Sequence, residues 1–194
     1  MGFSMEDDIK QQQERSALPM LWIGIVSIVM LFAGFTSAAI VSHMSGSWIH
    51  IKLPWYFIAS TAIIVASSFT YHYAFKLMQR KELAFSVRWI ILSLILGAGF
   101  GIFQYLGWKE LVKQGVYFTG PTANPAGSYF YVITFVHFLH YIGGIISMLV
   151  VYFRAKSGKY LEKSTGFKIS LIYWHFLDVL WLYLYAFLYY LINN

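Results

Sequence analysis

Five long apolar stretches, separated by short charged segments, make up most of the chain. Asp, Glu, Lys and Arg are absent from residues 16–51, 53–75, 89–108 and 114–153, and residues 169–194 contain only Asp178. A helix of about 20 apolar residues spans the ~30 Å hydrocarbon core of a bilayer. The pattern therefore predicts an all-α, polytopic membrane protein. It has a bundle of five transmembrane helices, at about residues 19–42, 54–77, 88–112, 128–153 and 166–192.

The domain organisation is predicted to be simple. Residues 1–18 form a polar cytoplasmic tail, because they begin acidic and lack the charge order of a signal peptide. Residues 19–194 form a single five-helix transmembrane domain. Pro19 and Pro54 stand where the first two helices are predicted to begin, a position at which the missing N–H of proline costs nothing.

Composition supports the membrane assignment and excludes several chemistries. Hydrophobic residues make up 59% of the chain and charged residues 11%, whereas a soluble domain carries about 25% charged residues. The absence of cysteine excludes disulfides, thiolate metal sites and iron–sulfur clusters. The net charge of +6 lies in the connections between spans, so it indicates membrane topology and no nucleic-acid partner.

The distribution of Lys and Arg predicts the orientation. Two lie in the N-terminal tail, four in the second connection and five in the fourth, whereas the first and third connections together hold three. Basic residues accumulate on the cytoplasmic side. We therefore expect the N-terminus inside and the C-terminus outside, in a bacterial cytoplasmic membrane.

Two pairs of ionisable residues lie within the predicted spans. His137 and His140 are three residues apart on the fourth helix, and His175 and Asp178 are three apart on the fifth. Residues at this spacing share a helix face. Depth estimates from the rise per residue place His140 and Asp178 at similar levels near mid-membrane. Because intramembrane charges are costly, these four residues are the candidate site.

Three interpretations of the four residues compete. In the first, the histidines and the aspartate satisfy one another and lock the fourth helix to the fifth through hydrogen bonds. In the second, one histidine from each helix binds a heme iron axially. In the third, the four side chains hold a non-heme metal. The first is preferred, since large apolar neighbours leave little room for a macrocycle and a membrane metal centre uses more ligands.

Two further features concern packing and lipid. Gly97 and Gly101 share one face of the third helix, which predicts a close approach of a second helix. His72, Arg80 and Arg88 lie near the inner ends of the second and third helices, where contacts with lipid headgroups are expected.

Several motifs carry a resemblance to a known family. Residues 173–181 read Tyr-Trp-His-Phe-Leu-Asp-Val-Leu-Trp, residues 127–130 read Gly-Ser-Tyr-Phe, and His137, His140 and a Gly-Gly pair follow. In this order they resemble the last two helices of subunit III of heme-copper oxidases, cytochrome c oxidase above all. Residues 29–34 and the Gln104–Trp108 spacing are similar to earlier helices of the same family.

The resemblance implies a five-helix form of subunit III, an accessory chain of a proton-pumping terminal oxidase. Such a chain has no redox centre, the heme and copper being in partner subunits. It would flank subunit I, contact other oxidase subunits, take part in a larger respiratory supercomplex, and hold phospholipids. Cytochrome c is the expected electron donor, with quinol as the alternative. A stand-alone membrane protein with a bis-histidine heme is the competing class.

The chain departs from the family at several positions. Ile28 stands where the family has a membrane glutamate, and Gly107 and Lys168 stand at or near two others. Val136 and Phe138 replace two glycines of the histidine motif. An isoleucine cannot exchange a proton, which speaks against a proton-relay role at position 28. The structural and lipid-holding role rests on helix packing.

Overall fold

The computed structural model describes residues 5–44, 51–120, 124–160 and 164–193. Side-chain surroundings are described from residue 16 to residue 192 within these ranges. The described residues are mostly helical. The five helices are α1 (Met5–His43), α2 (Tyr56–Gln79), α3 (Leu83–Lys113), α4 (Pro125–Lys156) and α5 (Thr165–Asn193).

Local sequence explains where several of these helices begin and end. Asn124 caps α4, because its side-chain oxygen accepts a hydrogen bond from the Ala126 N–H at 3.0 Å, and Pro125 follows at the first helical position. α4 ends at Lys156, and Gly158, two residues later, has a φ of 72°, which suits the left-handed turn after a helix. Lys81 adopts the same conformation, with φ 63°, and joins α2 to α3 in a tight hairpin.

Helices α2, α3, α4 and α5 form a closed four-helix arrangement in which each packs against the next and α5 packs against α2. α1 lies outside this ring and packs against α4 and α5. Within the described residues α1 contacts neither α2 nor α3. The core is aromatic, and Trp174, Trp181, Tyr71, Phe32, Phe57 and Phe100 are among its largest fully buried side chains.

The number of helices agrees with the sequence prediction, but the start of the first does not. α1 begins at Met5 and contains Pro19 within it, so the expectation that Pro19 opens the helix was wrong. A proline inside a helix removes one backbone hydrogen bond, and helices in membranes tolerate that loss. Part of the predicted tail, from Met5 onward, is therefore helical. α3 begins at Leu83, which places Arg88 inside the helix.

Four of the five helices are long and apolar enough to cross a bilayer: α1 from Ser16, α3, α4 and α5. α2 does not reach that level of hydropathy, although it is 24 residues long. The reason is its content of hydroxyl-bearing residues, which include Ser60, Thr61, Ser67, Ser68, Thr70 and Tyr71. These side chains are central to the site.

Candidate functional site

Helix α2 supplies hydroxyl groups that hydrogen bond to both of its neighbours. Toward α3, Ser67 Oγ donates to the Ser93 carbonyl at 3.0 Å, and the hydroxyls of Thr70 and Ser93 are 2.8 Å apart. Toward α5, Trp181 Nε1 donates to Thr61 Oγ1 at 3.0 Å. Hydrogen bonds between helices strengthen association in lipid, where water does not compete. α2 is thus joined to the bundle by polar contacts on two sides.

The buried carboxylate lies in the α2–α5 interface, in a group we call the carboxylate cluster: Ser68, His72, His175 and Asp178. Ser68 Oγ and His175 Nδ1 share a short hydrogen bond. The same Ser68 side chain interacts with the Asp178 carboxyl group, of which Oδ1 has no hydrogen-bond partner in the described part of the chain. The rings of His72 and His175 lie 5.6 Å apart, centre to centre.

His137 occupies a different place, in the aromatic core. Its ring lies 5.1 Å from Trp181 on α5, 6.3 Å from Phe32 on α1 and 6.4 Å from Phe100 on α3. The residue is 2% exposed, and its Nδ1 has no hydrogen-bond partner among the described residues. His137 is therefore the point at which α1, α3, α4 and α5 meet.

His140 is satisfied mainly within its own helix. Its Nδ1–H donates to the Val136 carbonyl oxygen at 2.8 Å. The Tyr173 hydroxyl donates to the His140 backbone carbonyl at 3.1 Å, and the Phe32 ring lies 5.9 Å from the imidazole. The side chain thus packs against α1, and the backbone of the same residue accepts a hydrogen bond from α5.

The expected hydrogen bond between the α4 histidines and the α5 pair is not among the described contacts. His175 and Asp178 instead turn toward Ser68 on α2, and His140 uses its own backbone. The physical reason is the rotation of α5, which directs the face bearing His175 and Asp178 toward the hydroxyl-rich helix. A serine hydroxyl serves a buried carboxylate at less desolvation cost than a second ionisable group.

The link between α4 and α5 comes from hydroxyls that the sequence did not single out. Ser170 Oγ lies 2.8 Å from Tyr71 Oη and 2.9 Å from Ser147 Oγ, so three helices meet at one serine. We call Tyr71, Ser147 and Ser170 the hydroxyl cluster. Serine is common on helix surfaces, and no spacing rule in the sequence marks such a triple contact.

The expected close packing at Gly97 and Gly101 is confirmed. A Cβ at Gly97 would lie 2.8 Å from Ile145 Cδ1, and one at Gly101 would lie 3.1 Å from Tyr141 Oη. The Tyr141 hydroxyl also donates to the Gly97 carbonyl at 2.8 Å. Gly107 is equally tight, because a Cβ there would lie 2.7 Å from the buried Phe57 ring. That contact explains why a larger side chain does not fit at position 107.

Gln104 is the buried polar residue whose environment the sequence did not predict. It is 1% exposed, and neither atom of its amide has a hydrogen-bond partner in the described part of the chain. Across the α3–α4 interface, Trp108 Nε1 donates to Thr134 Oγ1 at 3.1 Å, and Gly101 faces Tyr141. This antiparallel register places Gln104 at the level of His137.

The remaining predicted site residues lie near the α2–α3 hairpin. Arg80 follows the last residue of α2, and the Arg88 guanidinium lies 5.7 Å from the centre of the Phe85 ring. Both side chains are exposed, as is His72. Their placement at one end of the bundle leaves them accessible to lipid headgroups, and the lipid contact itself stays a prediction.

The residues offer a poor fit to a heme or a metal ion. His137 is enclosed by the buried side chains of Phe32, Phe100 and Trp181 at ring-centre distances of 5.1–6.4 Å, so a porphyrin bound through a ring nitrogen would have to displace large core side chains. Across the described ranges, no group of three or more His, Cys, Asp or Glu side chains is placed to hold a metal. The chemistry that the arrangement supports is hydrogen bonding and proton exchange.

Comparison with known proteins gives a consistent result. The family profile described as "Cytochrome c oxidase subunit III" matches residues 17–192. A "Probable cytochrome c oxidase subunit 3" from Nocardia farcinica is 31% identical over 180 residues, which cover 88% of this chain and 85% of that protein. A "Cytochrome c oxidase subunit 3" from Corynebacterium diphtheriae is 28% identical over 84% of this chain and 82% of its own length. One from Thermostichus vulcanus is 31% identical over 67% and 63%.

Proposed function

The chain belongs to the cytochrome c oxidase subunit III family, and from this premise we propose that it is an accessory subunit that stabilises the catalytic subunit I. Subunit III proteins belong to oxidase complexes, so the reaction of the whole is oxygen reduction coupled to proton translocation. The heme and copper centres reside in partner chains. This chain contributes a scaffold.

The observation that carries the proposal is the contrast between the polar interior of the bundle and the outward face of α1. The hydroxyl cluster and the glycine contacts hold α2–α5 together. In the most apolar stretch of α1, only 11% of the residues are buried within the chain, compared with 44% in α5. A helix with so little contact to its own bundle is available to a partner.

The partner surface extends beyond α1. α4 packs against both α1 and α3 and lies between them. We place the surface toward subunit I on these three helices. Large apolar side chains project from all three helices, among them Met30 on α1, Ile146 on α4 and Ile95 on α3, which are 55–70% exposed. Flat apolar faces built from several helices suit a permanent interface between membrane subunits, in which packing supplies the affinity.

Topology and lipid binding complete the proposal. The basic α2–α3 hairpin and the basic segment after α4 lie at the cytoplasmic side, with the N-terminus inside and the C-terminus outside. α2 crosses the membrane with the other four helices, because it runs antiparallel to α3 and packs along α5. His72, Arg80 and Arg88 contact phospholipid headgroups. The membrane is the bacterial cytoplasmic membrane.

The electron donor of the complex is cytochrome c in this proposal, as in the names of the relatives. A quinol oxidase subunit III is the alternative within the same family. Turnover of purified complex with reduced cytochrome c and with a reduced quinol separates the two.

Purification in mild detergent through a tag on this chain tests the proposed function. We expect heme-bearing chains to co-purify, and the chain itself to show no visible absorption after it is separated from them. A variant with Asp178→Leu is expected to weaken the α2–α5 interface and shorten the active lifetime of the complex. Purification of the chain alone, or a heme spectrum that stays with it, would contradict the proposal and favour the bis-histidine heme class.

A further inference from the structure

Asp178 is a buried acid with a connected set of proton-exchanging groups between it and one end of the bundle. The residue is 7% exposed and lies thirteen residues into α5, about 20 Å along the helix. Ser68 on α2 contacts both its carboxyl group and His175 Nδ1. From these contacts we propose that Asp178 is a proton-binding site of the subunit, filled from the α2–α3 end through His72, His175 and Ser68.

The spacing of the four side chains along α2 and α5 places each one next to another member of the proposed path. Ser68 and His72 are one turn apart on α2, and Asp178 and His175 are about one turn apart on α5, so the four side chains form two adjoining levels. The two imidazole rings lie 5.6 Å apart at the level nearer the helix end. Lys76 follows His72 by one further turn and is exposed in the last turn of α2. Long basic side chains at such positions reach the aqueous interface.

Each transfer in the proposed sequence conserves protons. His72 takes a proton from the interface and passes it to His175, which becomes imidazolium. The His175 Nδ1–H then donates its proton to Ser68 Oγ as the Ser68 hydroxyl proton moves to the Asp178 carboxylate. Imidazole and serine return to their starting protonation states, and the net change is one proton on Asp178. Serine acts only as a bridge, since its hydroxyl exchanges a proton without holding a charge.

The described surroundings of Asp178 contain no Lys or Arg that would form an ion pair with it. α2 contributes Ser68 and His72 to this region, and α5 contributes His175. α4 contributes His137, which packs on Trp181, and His140, which bonds its own backbone. α1 carries no Asp, Glu, Lys or Arg from Ser16 onward. No fixed cation is therefore available at this depth in the described residues, and Asp178 Oδ1 has no hydrogen-bond partner among them.

A structural role for the same contacts predicts a different behaviour. If Asp178 only joins α5 to α2, its protonation state is constant and its proton does not exchange with solvent through the histidines. The proposal requires exchange on the timescale of the experiment, and slower exchange when the path is broken. It does not depend on which chains surround the subunit.

Infrared difference spectroscopy of the complex that co-purifies with this chain tests the site. The wild type minus Asp178→Asn spectrum isolates the C=O stretch of a protonated carboxyl group. We expect a band that grows as the pH is lowered and shifts in D2O. Asp178→Glu keeps the carboxyl group and serves if Asp178→Asn fails to accumulate. We expect the carboxyl band of the glutamate variant at a frequency displaced from that of the wild type.

The path is tested by the rate at which that band shifts after mixing with D2O. His72→Leu and Ser68→Ala are expected to slow the shift by roughly tenfold or more, with Ser27→Ala, which removes a hydroxyl bonded to a carbonyl of α1, as the matched control that leaves it unchanged. The absence of the band at every pH, a band that never exchanges, or equal rates in all three variants would overturn the proposal. A complex without heme would contradict the proposed function instead, and the infrared result would still decide the proton site.

Discussion

Helices α1 and α2 differ in hydropathy, in burial and in the way they contact the rest of the chain. α1 has the highest mean hydropathy of the four apolar spans and the smallest buried share, whereas α5 has the lowest hydropathy of the four and the largest buried share. α2 is less apolar than any of them, and it is bonded to both neighbours through Ser67, Thr70, Ser68 and Thr61. In α1, Ser27 and Thr36 donate to carbonyls of their own helix.

This difference in hydropathy and hydrogen bonding shows which forces hold each helix in the bundle. Lipid tails are as apolar as leucine, so hydropathy does not drive one helix against another inside the bilayer. Close packing at small residues and hydrogen bonds between helices do. α2 has both, and α1 meets the bundle along a narrow stripe that includes Ile25, Phe32, Thr36 and Ala39. The side chains of α2 mainly bond other helices of the same chain, whereas most of the α1 surface faces away from the bundle.

A glycine pair gives the largest expected contrast. In Gly107→Ala the new Cβ would lie 2.7 Å from the Phe57 ring, which is buried and cannot withdraw. We expect a loss of about 2–3 kcal/mol and a fall in the amount of folded chain. Gly34→Ala on α1 is the matched control, because a Cβ there meets nothing within 4 Å. Thermal stability in detergent measures both, and equal losses would show that α1 is packed as tightly as α2.

The outward face of α1 gives the second contrast. Met30 is 70% exposed in the chain, and Met30→Trp is expected to leave the bundle intact and to weaken its hold on a partner by about 1–2 kcal/mol through overpacking. Co-purification of companion chains measures the loss. Phe69→Trp on α2, where Phe69 is 73% exposed, is the control. A stronger effect at Phe69 than at Met30 would move the partner surface from α1 to α2.

Hydroxyl removal gives a smaller effect. Ser67→Ala deletes the bond to the Ser93 carbonyl, and we expect a destabilisation of about 0.6–1.7 kcal/mol. Ser27→Ala removes a hydroxyl that bonds only the Ile23 carbonyl on its own helix, and no measurable loss is expected. Thermal shift assays compare the two. A neutral Ser67→Ala would mean that this hydrogen bond adds nothing to the association of α2 with α3.

The smallest effect is expected at Trp181. Trp181→Phe keeps an aromatic ring beside His137 and Phe100 and removes the Nε1–H that bonds Thr61. The expected loss is about 0.5–1 kcal/mol. Thr61→Val removes the acceptor, so the double variant should cost little more than either single change. Additive losses would show that the two residues act separately.

Sequence reasoning predicted the number of helices and much of the packing, because charge-free stretches and glycine spacing follow from the physics of the bilayer. It placed Gly97 and Gly101 correctly at a helix interface. It was wrong about Pro19, since a helix in lipid continues through a proline that a soluble helix would exclude. It did not recognise that α2 is less apolar than the four stretches that are apolar enough to cross a bilayer.

The partners of the ionisable residues were the part that could not be predicted. Depth along each helix follows from counting residues, and it placed His140 and Asp178 at similar levels. Rotation about the helix axis decides which of several neighbours a side chain meets, and it depends on packing around the whole ring. Ser68 and Ser170 became the central contacts for this reason, and neither carries a distinguishing pattern in the sequence.

The central claim is that this chain is a scaffold whose α1 face holds a heme-bearing partner. A photo-crosslinking amino acid at Met30, compared with the same group at Phe69, tests it most directly in native membranes. We expect a crosslink from position 30 to the largest heme-containing chain of an oxidase, and no crosslink to that chain from position 69. A crosslink from position 30 to lipid alone, with the heme-bearing chain captured only from position 69, would contradict it.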